Sequence, residues 1–164
     1  SAGFLGLGGW QNVVGDGPAT WADVLFGYRA HQKGYRLMMV SAAKLWHHDK
    51  WATTLDQARQ RAELVGRLAP RLFCHNPELR QHVSMFDDKG PLDWRHDQPV
   101  IVMRKTLRSL LSSRALQAMI RGVTVLLEHS APNSRLLPHL YNWQISAHIR
   151  KGYRQGLKEM QTHV

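Results

Sequence analysis

At 164 residues, 43% of them hydrophobic, the chain has the length and composition of one ordinary domain or a piece of a larger one, and not those of a disordered polymer. Its one cysteine, Cys74, excludes an internal disulfide and a thiolate metal cluster and suits a reducing compartment. The formal charge of +10 is uneven: residues 1–98 carry 12 Lys/Arg against 10 Asp/Glu and residues 99–164 carry 10 against 2, so a polyanionic partner is a question for the last third alone.

Residues 1–20 are rich in glycine and close on Gly17-Pro18, the signature of a loop. The opening Ser1-Ala2-Gly3-Phe4-Leu5 has neither an initiator methionine nor the basic leader of a signal peptide, and reads as a start inside a longer protein. Thr20 and Asp23 form a Thr-x-x-Asp helix start, and the helix runs to about Lys33, where Gly34 stops it. A short strand is expected over Tyr35–Val40 and another extended piece over Ala43–His47. Thr54-x-x-Gln57 announces a second helix to about Ala69, with Pro70 near its end. Pro77 permits a third over roughly Glu78–Phe86, and residues 87–99 connect. From Val100 to about His129 the pattern is helical, weakened midway by Gly122. Residues 131–134 break the chain, and Leu136–Met160 is a last helical stretch. There is no internal repeat, and no run reaches the roughly 18 apolar residues of a spanning helix. Loop, helix, strand and then helices make an α/β edge followed by an α-helical tail.

The residues that suggest chemistry lie between positions 8 and 48. They read Gly8-Gly9-Trp10, Trp21-Ala22-Asp23-Val24-Leu25-Phe26-Gly27-Tyr28-Arg29, Lys33-Gly34-Tyr35-Arg36, and Ala43-Lys44-Leu45-Trp46-His47-His48. Near the end stand Leu140-Tyr141-x-Trp143 and Arg150-Lys151-Gly152-Tyr153-Arg154-Gln155-Gly156-Leu157. In order and spacing this resembles the acceptor-side half of family-two, inverting glycosyltransferases of GT-A fold. There a Gly-Gly-aromatic loop precedes a Glu-Asp-x-Asp-Leu-x-x-Arg helix start, and bacterial members often close on Tyr-x-Trp and Gly-Tyr-Arg-x-Gly. The resemblance spans nearly the whole chain. It implies an α/β fold, with residues 1–50 as the acceptor-side end of a nucleotide-diphospho-sugar transferase domain. Residues 51–98 would be a helical segment and connector packed on it, and 99–164 a basic helical tail. The family's Asp-x-Asp motif and nucleotide-binding strands have no counterpart here, which puts the donor-binding half upstream of Ser1.

The implied reaction moves a sugar from a nucleotide-sugar donor to a hydroxyl of a glycan or lipid-linked acceptor, with Mg²⁺ or Mn²⁺ held mostly by the upstream half. Inversion needs a carboxylate to take the acceptor's proton as its oxygen attacks the anomeric carbon. Asp23 is the candidate base, in a first helical turn where the helix dipole favours negative charge; the same carboxylate also suits a helix cap partnered with Thr20. Trp10 and Trp21 flank the implied acceptor pocket, where a flat ring stacks on a sugar face, although tryptophans are equally ordinary core residues. Arg29 is implied near the acceptor or the diphosphate, or is a solvated surface residue. His47 is the metal candidate, since a histidine at this point completes the ion's shell in metal-dependent members. Adjacent strand residues point to opposite faces, so at most one of His47 and His48 serves, with Asp49 placed to orient either ring. The alternative is a merely polar strand end. Gln11-Asn12, Ala22 and Leu25 stand where the family usually carries acids, which leaves Asp23 as the carboxylate on which inversion depends. The Gln-x-x-Arg-Trp signature of processive synthases is absent, implying addition of single sugars.

Arg104, Lys105, Arg108, Arg114, Arg121, Arg150, Lys151, Arg154 and Lys158 are interleaved with apolar residues at helical spacing. That suits surface helices touching anionic headgroups, or solvated helices packing their leucines inward. The competing class is a non-catalytic basic helical module binding nucleic acid or an anionic membrane. No recognisable nucleic-acid module is present, and no nucleic acid is expected as partner. The location implied is cytoplasmic, peripheral at the inner face of the cell membrane. Cys74-His75 invites a nucleophile reading, but no third partner is identifiable.

Overall fold

Helix ends in this chain follow from side chains that satisfy the terminal backbone groups. In the computed structural model, which describes residues 6–8, 21–36, 38, 41 and 54–162, the Thr54–Gln57 capping box is closed in both directions. The Gln57 amide donates to Thr54 Oγ1 and the Thr54 amide to Gln57 Oε1, each at 3.2 Å. At Gly34 the chain turns with φ +77°, and the amides of Gly34 and Tyr35 donate to the carbonyls of His31 (2.9 Å) and Ala30 (3.0 Å). That pair of bonds is a Schellman stop, which glycine alone makes without strain.

The described elements are α1 (Ala22–Gln32), α2 (Leu55–His75), the single turn α3 (Leu79–His82), a 3₁₀ turn (Ser84–Phe86), α4 (Pro99–Leu111), α5 (Arg114–Ser130) and α6 (Leu137–Thr162). The expected α/β architecture, and with it the GT-A sheet edge, is overturned: among the described residues there is no strand, and the fold is all-helical. Tyr35, Arg36 and Met38 lie in the expected strand but join no ladder. Their stretch holds a single β-branched residue, Val40, which gives it little intrinsic preference for a strand. The extended piece expected at residues 43–47 lies outside the described residues.

Other boundaries moved for local reasons. α2 continues past Pro70 to His75. Pro70 lacks the amide that would bond the Gly66 carbonyl, a loss of about 3 kcal/mol in an isolated helix. Burial of Ala69, Leu72 and Phe73 around it offsets that cost. The single helix expected over 100–129 is two helices bent by 68°. The break falls at Ser112-Ser113 and not at Gly122: Ser113 Oγ accepts from the Leu116 amide (3.4 Å), and Ser112 Oγ donates to the Arg108 carbonyl (2.6 Å). Only one turn and a 3₁₀ turn form within the third expected helix.

α2 and α6 lie side by side and run in the same direction, Arg59 meeting Gln144, Glu63 meeting His148 and Arg67 meeting Glu159. Their backbones touch. A Cβ added to Gly152 would sit on the Glu63 carbonyl, one on Gly156 on the Arg67 carbonyl, and one on Gly66 on the Ile149 carbonyl. Glycine at these positions is what admits so close an approach. The core forms beside this seam, where Phe86 from the 3₁₀ turn is enclosed by the rings of Tyr153 (4.9 Å), Phe73 (5.4 Å) and Trp21 (5.7 Å). Leu25 of α1 and Leu79 of α3 complete it. At the other end of the seam the interior is polar. Arg59 bonds Gln144 and Asp56, the Gln144 amide donates to Thr124 Oγ1 (2.8 Å), and Thr124 donates to the Ile120 carbonyl (2.7 Å).

Two glycine substitutions test the seam. Gly152→Val, which drives a side chain into the α2 backbone, is expected to cost at least about 3 kcal/mol in urea unfolding. Gly122→Ala, in a helical position with open space around it, is expected to stabilise by about 0.4–1 kcal/mol. Equal effects at the two sites would refute a backbone-contact seam.

Candidate functional site

α1 presents the sequence-derived candidates that the structure describes. The helix begins at Ala22 with Trp21 as its N-cap, and no side chain caps it. Trp21 has φ +73°, and its indole Nε1 donates to the Val65 carbonyl (3.1 Å). At 8% exposure its ring is a core ring packed on Phe86, with no open face for a sugar. Asp23 follows in the first turn, exposed, with Oδ1 accepting from the Val24 amide at 2.9 Å. Arg29 is half-buried on the same helix, six residues on and so about 120° around it from Asp23. The two therefore do not share a face. Lys33 Nζ donates to the Gly6 carbonyl (2.6 Å), tying the far end of α1 to the opening residues. Trp10, His47 and Thr20 lie outside the described residues. Among the described residues no three His, Cys, Asp or Glu side chains stand together as a metal site, and His47, implied to complete a Mg²⁺ or Mn²⁺ shell, lies outside them.

A second assembly lies where the α4–α5 break meets α6. Two adjoining depressions of about 700 and 590 Å³ share Ser112, Ala147 and Arg150, and no acidic side chain lines either. Behind them lies Asp88, whose Oδ2 takes a 2.9 Å ion pair from Arg108 Nε and whose Oδ1 lies 3.7 Å from Lys89. Burial, with Arg154 and Arg108 nearby, pulls the Arg150 guanidinium below its ordinary value, and Asp88 opposes the shift. Burial likewise lowers Lys89, reinforced by Arg108. At the cleft's edge Glu63 receives Lys151 (2.8 Å) and His148 (3.0 Å). Partial burial pushes the Glu63 carboxyl up, but the hydrogen bonds from Lys151 and His148 prevail and hold it below the usual range.

The sequence alone places Arg150 in a tail motif and among basic residues that touch anionic headgroups or stay solvated, and does not single out Asp88 or Gln144. The available signal was Ser146-Ala147, small residues one turn before Arg150 that mark where another helix comes close. No family model, curated protein or solved structure matches the chain.

A carboxyl held below its ordinary value in the fold stabilises above that value and loses its contribution as pH falls through the lowered one. Glu63, Asp93, Asp97 and Glu159 all behave this way. The urea midpoint is therefore expected to decline as pH drops below about 4.5, the ordinary glutamate value. Glu63→Gln should make that decline shallower. An identical profile in the variant would show that the Lys151–Glu63–His148 contacts contribute nothing.

Proposed function

We propose that this chain supplies the acceptor-side, C-terminal portion of an inverting glycosyltransferase that uses a nucleotide-sugar donor, with Asp23 as general base. The reading rests on the ordered motifs around Gly8-Gly9-Trp10, Asp23, Lys33-Gly34-Tyr35 and His47, and needs no sheet among the described residues. The observation that carries it furthest is the position of Asp23: a solvent-open carboxylate in a first helical turn, two residues from a core-anchored tryptophan. In the proposed step Asp23 takes the proton of the acceptor hydroxyl. The acceptor oxygen bonds to the anomeric carbon, and the bond to the nucleoside diphosphate breaks on the opposite face. Donor contacts belong to a segment preceding this one. Trp10 and Arg29 remain candidates for holding the acceptor, and His47 for completing a metal shell. Trp21 is better read as the residue that positions Asp23. Work at the cytoplasmic face of an anionic membrane suits the basic C-terminal third, and among the described residues no single helix is long and apolar enough to cross a membrane.

A second reading, a non-catalytic basic module, is favoured by the acid-free cleft. Turnover separates the two. In the enzyme carrying its donor-binding segment, Asp23→Asn is expected to lower transfer about 10²-fold or more while donor affinity stays within twofold. Retained turnover would dismiss Asp23 as the base. The 164-residue chain alone is expected to bind no UDP- or GDP-sugar in calorimetry, and measurable affinity would relocate the donor site.

A further inference from the structure

Arg150 is 5% exposed, yet its Nε and Nη1 have no hydrogen-bond partner. The neighbouring Asp88 Oδ1 is likewise buried without a partner. Buried polar atoms are almost always paired, so this unpaired cluster is where a small side-chain shift on ligand binding recovers lost hydrogen bonds. The Arg150 donors belong to a side chain that lines both lobes of the cleft described above. Arg114, Arg154 and Lys158 line one lobe, Arg104 and Arg108 the other, with no carboxylate on either wall. The first turn of the 17-residue helix α5 also opens here through Ser112, Arg114 and Gln117, adding the positive end of its dipole.

We propose that this cleft binds a phosphate group, with the Arg150 guanidinium as its central ligand. The site is independent of the sugar-transfer reading and involves no residue assigned to it. A planar guanidinium offers paired N–H donors at the spacing of two phosphate oxygens, and the surrounding cations balance a multiply charged anion. Phosphate is favoured over a single carboxylate by that excess of charge. The second lobe adds half-exposed Leu107 and Trp143, so the phosphate carries a substituent with apolar surface. Leu107 also belongs to an exposed stripe on α4 formed with Val100, Met103 and Leu110. Phospholipid headgroups and soluble phosphate esters share the required chemistry, and the experiment separates them.

Calorimetric titration of the chain with inorganic pyrophosphate is expected to show saturable, one-to-one binding. It should weaken at least tenfold in Arg150→Met and in the exposed-site double variant Arg154→Gln/Lys158→Gln, and stay within twofold in Arg36→Gln, outside the cleft. The double variant guards against Arg150→Met failing to fold, which circular dichroism would reveal. In cosedimentation, uptake by phosphatidylglycerol but not phosphatidylcholine vesicles, reversed by excess pyrophosphate, identifies the lipid source. Pyrophosphate binding without vesicle uptake identifies a soluble one. No saturable binding, or equal weakening by Arg36→Gln, would overturn the proposal.

Discussion

The backbone contact between α2 and α6 is the constraint from which the rest of this fold follows. Gly152 and Gly156, one turn apart, lie on the carbonyls of Glu63 and Arg67, also one turn apart, while Gly66 receives Ile149 in return. Helices this close exclude side chains from the seam and bring flanking residues within reach of one another. Because the two run parallel, no short loop can join them, and residues 76–136 must travel back along the pair. That return path places Phe86 against one flank and lays the α4–α5 bend against another. α6 thus shows a glycine face to α2, a Gln144 face to α5 and an Arg150 face to the α4–α5 break.

Two buried arginines on this pair make an instructive contrast. Arg59 and Arg150 are 6% and 5% exposed, yet only Arg59 is satisfied, bonding Asp56 and Gln144 while Gln144 bonds Thr124 in turn. Desolvating a guanidinium is costly unless hydrogen bonds and a counter-charge replace water. Arg59 has both, on neighbouring turns of helices already held together by the seam. Arg150 has Asp88 near it, but Asp88 Oδ2 pairs with Arg108 and its Oδ1 is itself buried without a hydrogen-bond partner. The same fold that can satisfy a buried cation at one end leaves another facing an acid-free cleft, which points to a ligand and not to poor packing.

What was legible in the sequence is what depends on a few neighbouring residues. The Thr54–Gln57 box and the Gly34 stop were readable because their hydrogen bonds close within one turn. Pro70 and Gly122 misled because both were judged by helix propensity alone. Packing of Ala69 and Leu72 overrides the proline, and the break goes to Ser112-Ser113, where serine side chains cap and terminate. The strand at residues 35–40 was an inference from apolar character, which does not supply a partner strand. Gly152 and Gly156 were noticed as part of a motif, but their role as a contact with residues some ninety positions earlier has no local signal. At the candidate site the place of Asp23 in a first helical turn was readable, whereas its exposure was not, and the burial of Trp21 was one of two open alternatives. The cleft was invisible because its walls come from three helices.

The geometry at the start of α1 bears on what Asp23 is for. An N-cap side chain accepts from an amide two or three residues on. The N-cap here is Trp21, and Asp23 accepts from the adjacent Val24 amide. A bulky residue at φ +73° costs about 1–3 kcal/mol. Burial of the indole, worth about 1.5–3 kcal/mol for a large apolar side chain, offsets it together with the bond to Val65. Since Val65 belongs to the helix that the glycine seam fixes to α6, the start of α1 is registered against that helix pair. The carboxylate two residues later inherits that position while its side chain stays exposed. Thr20, the partner of the alternative capping role, lies outside the described residues. Core packing holds Asp23 in place and leaves it open.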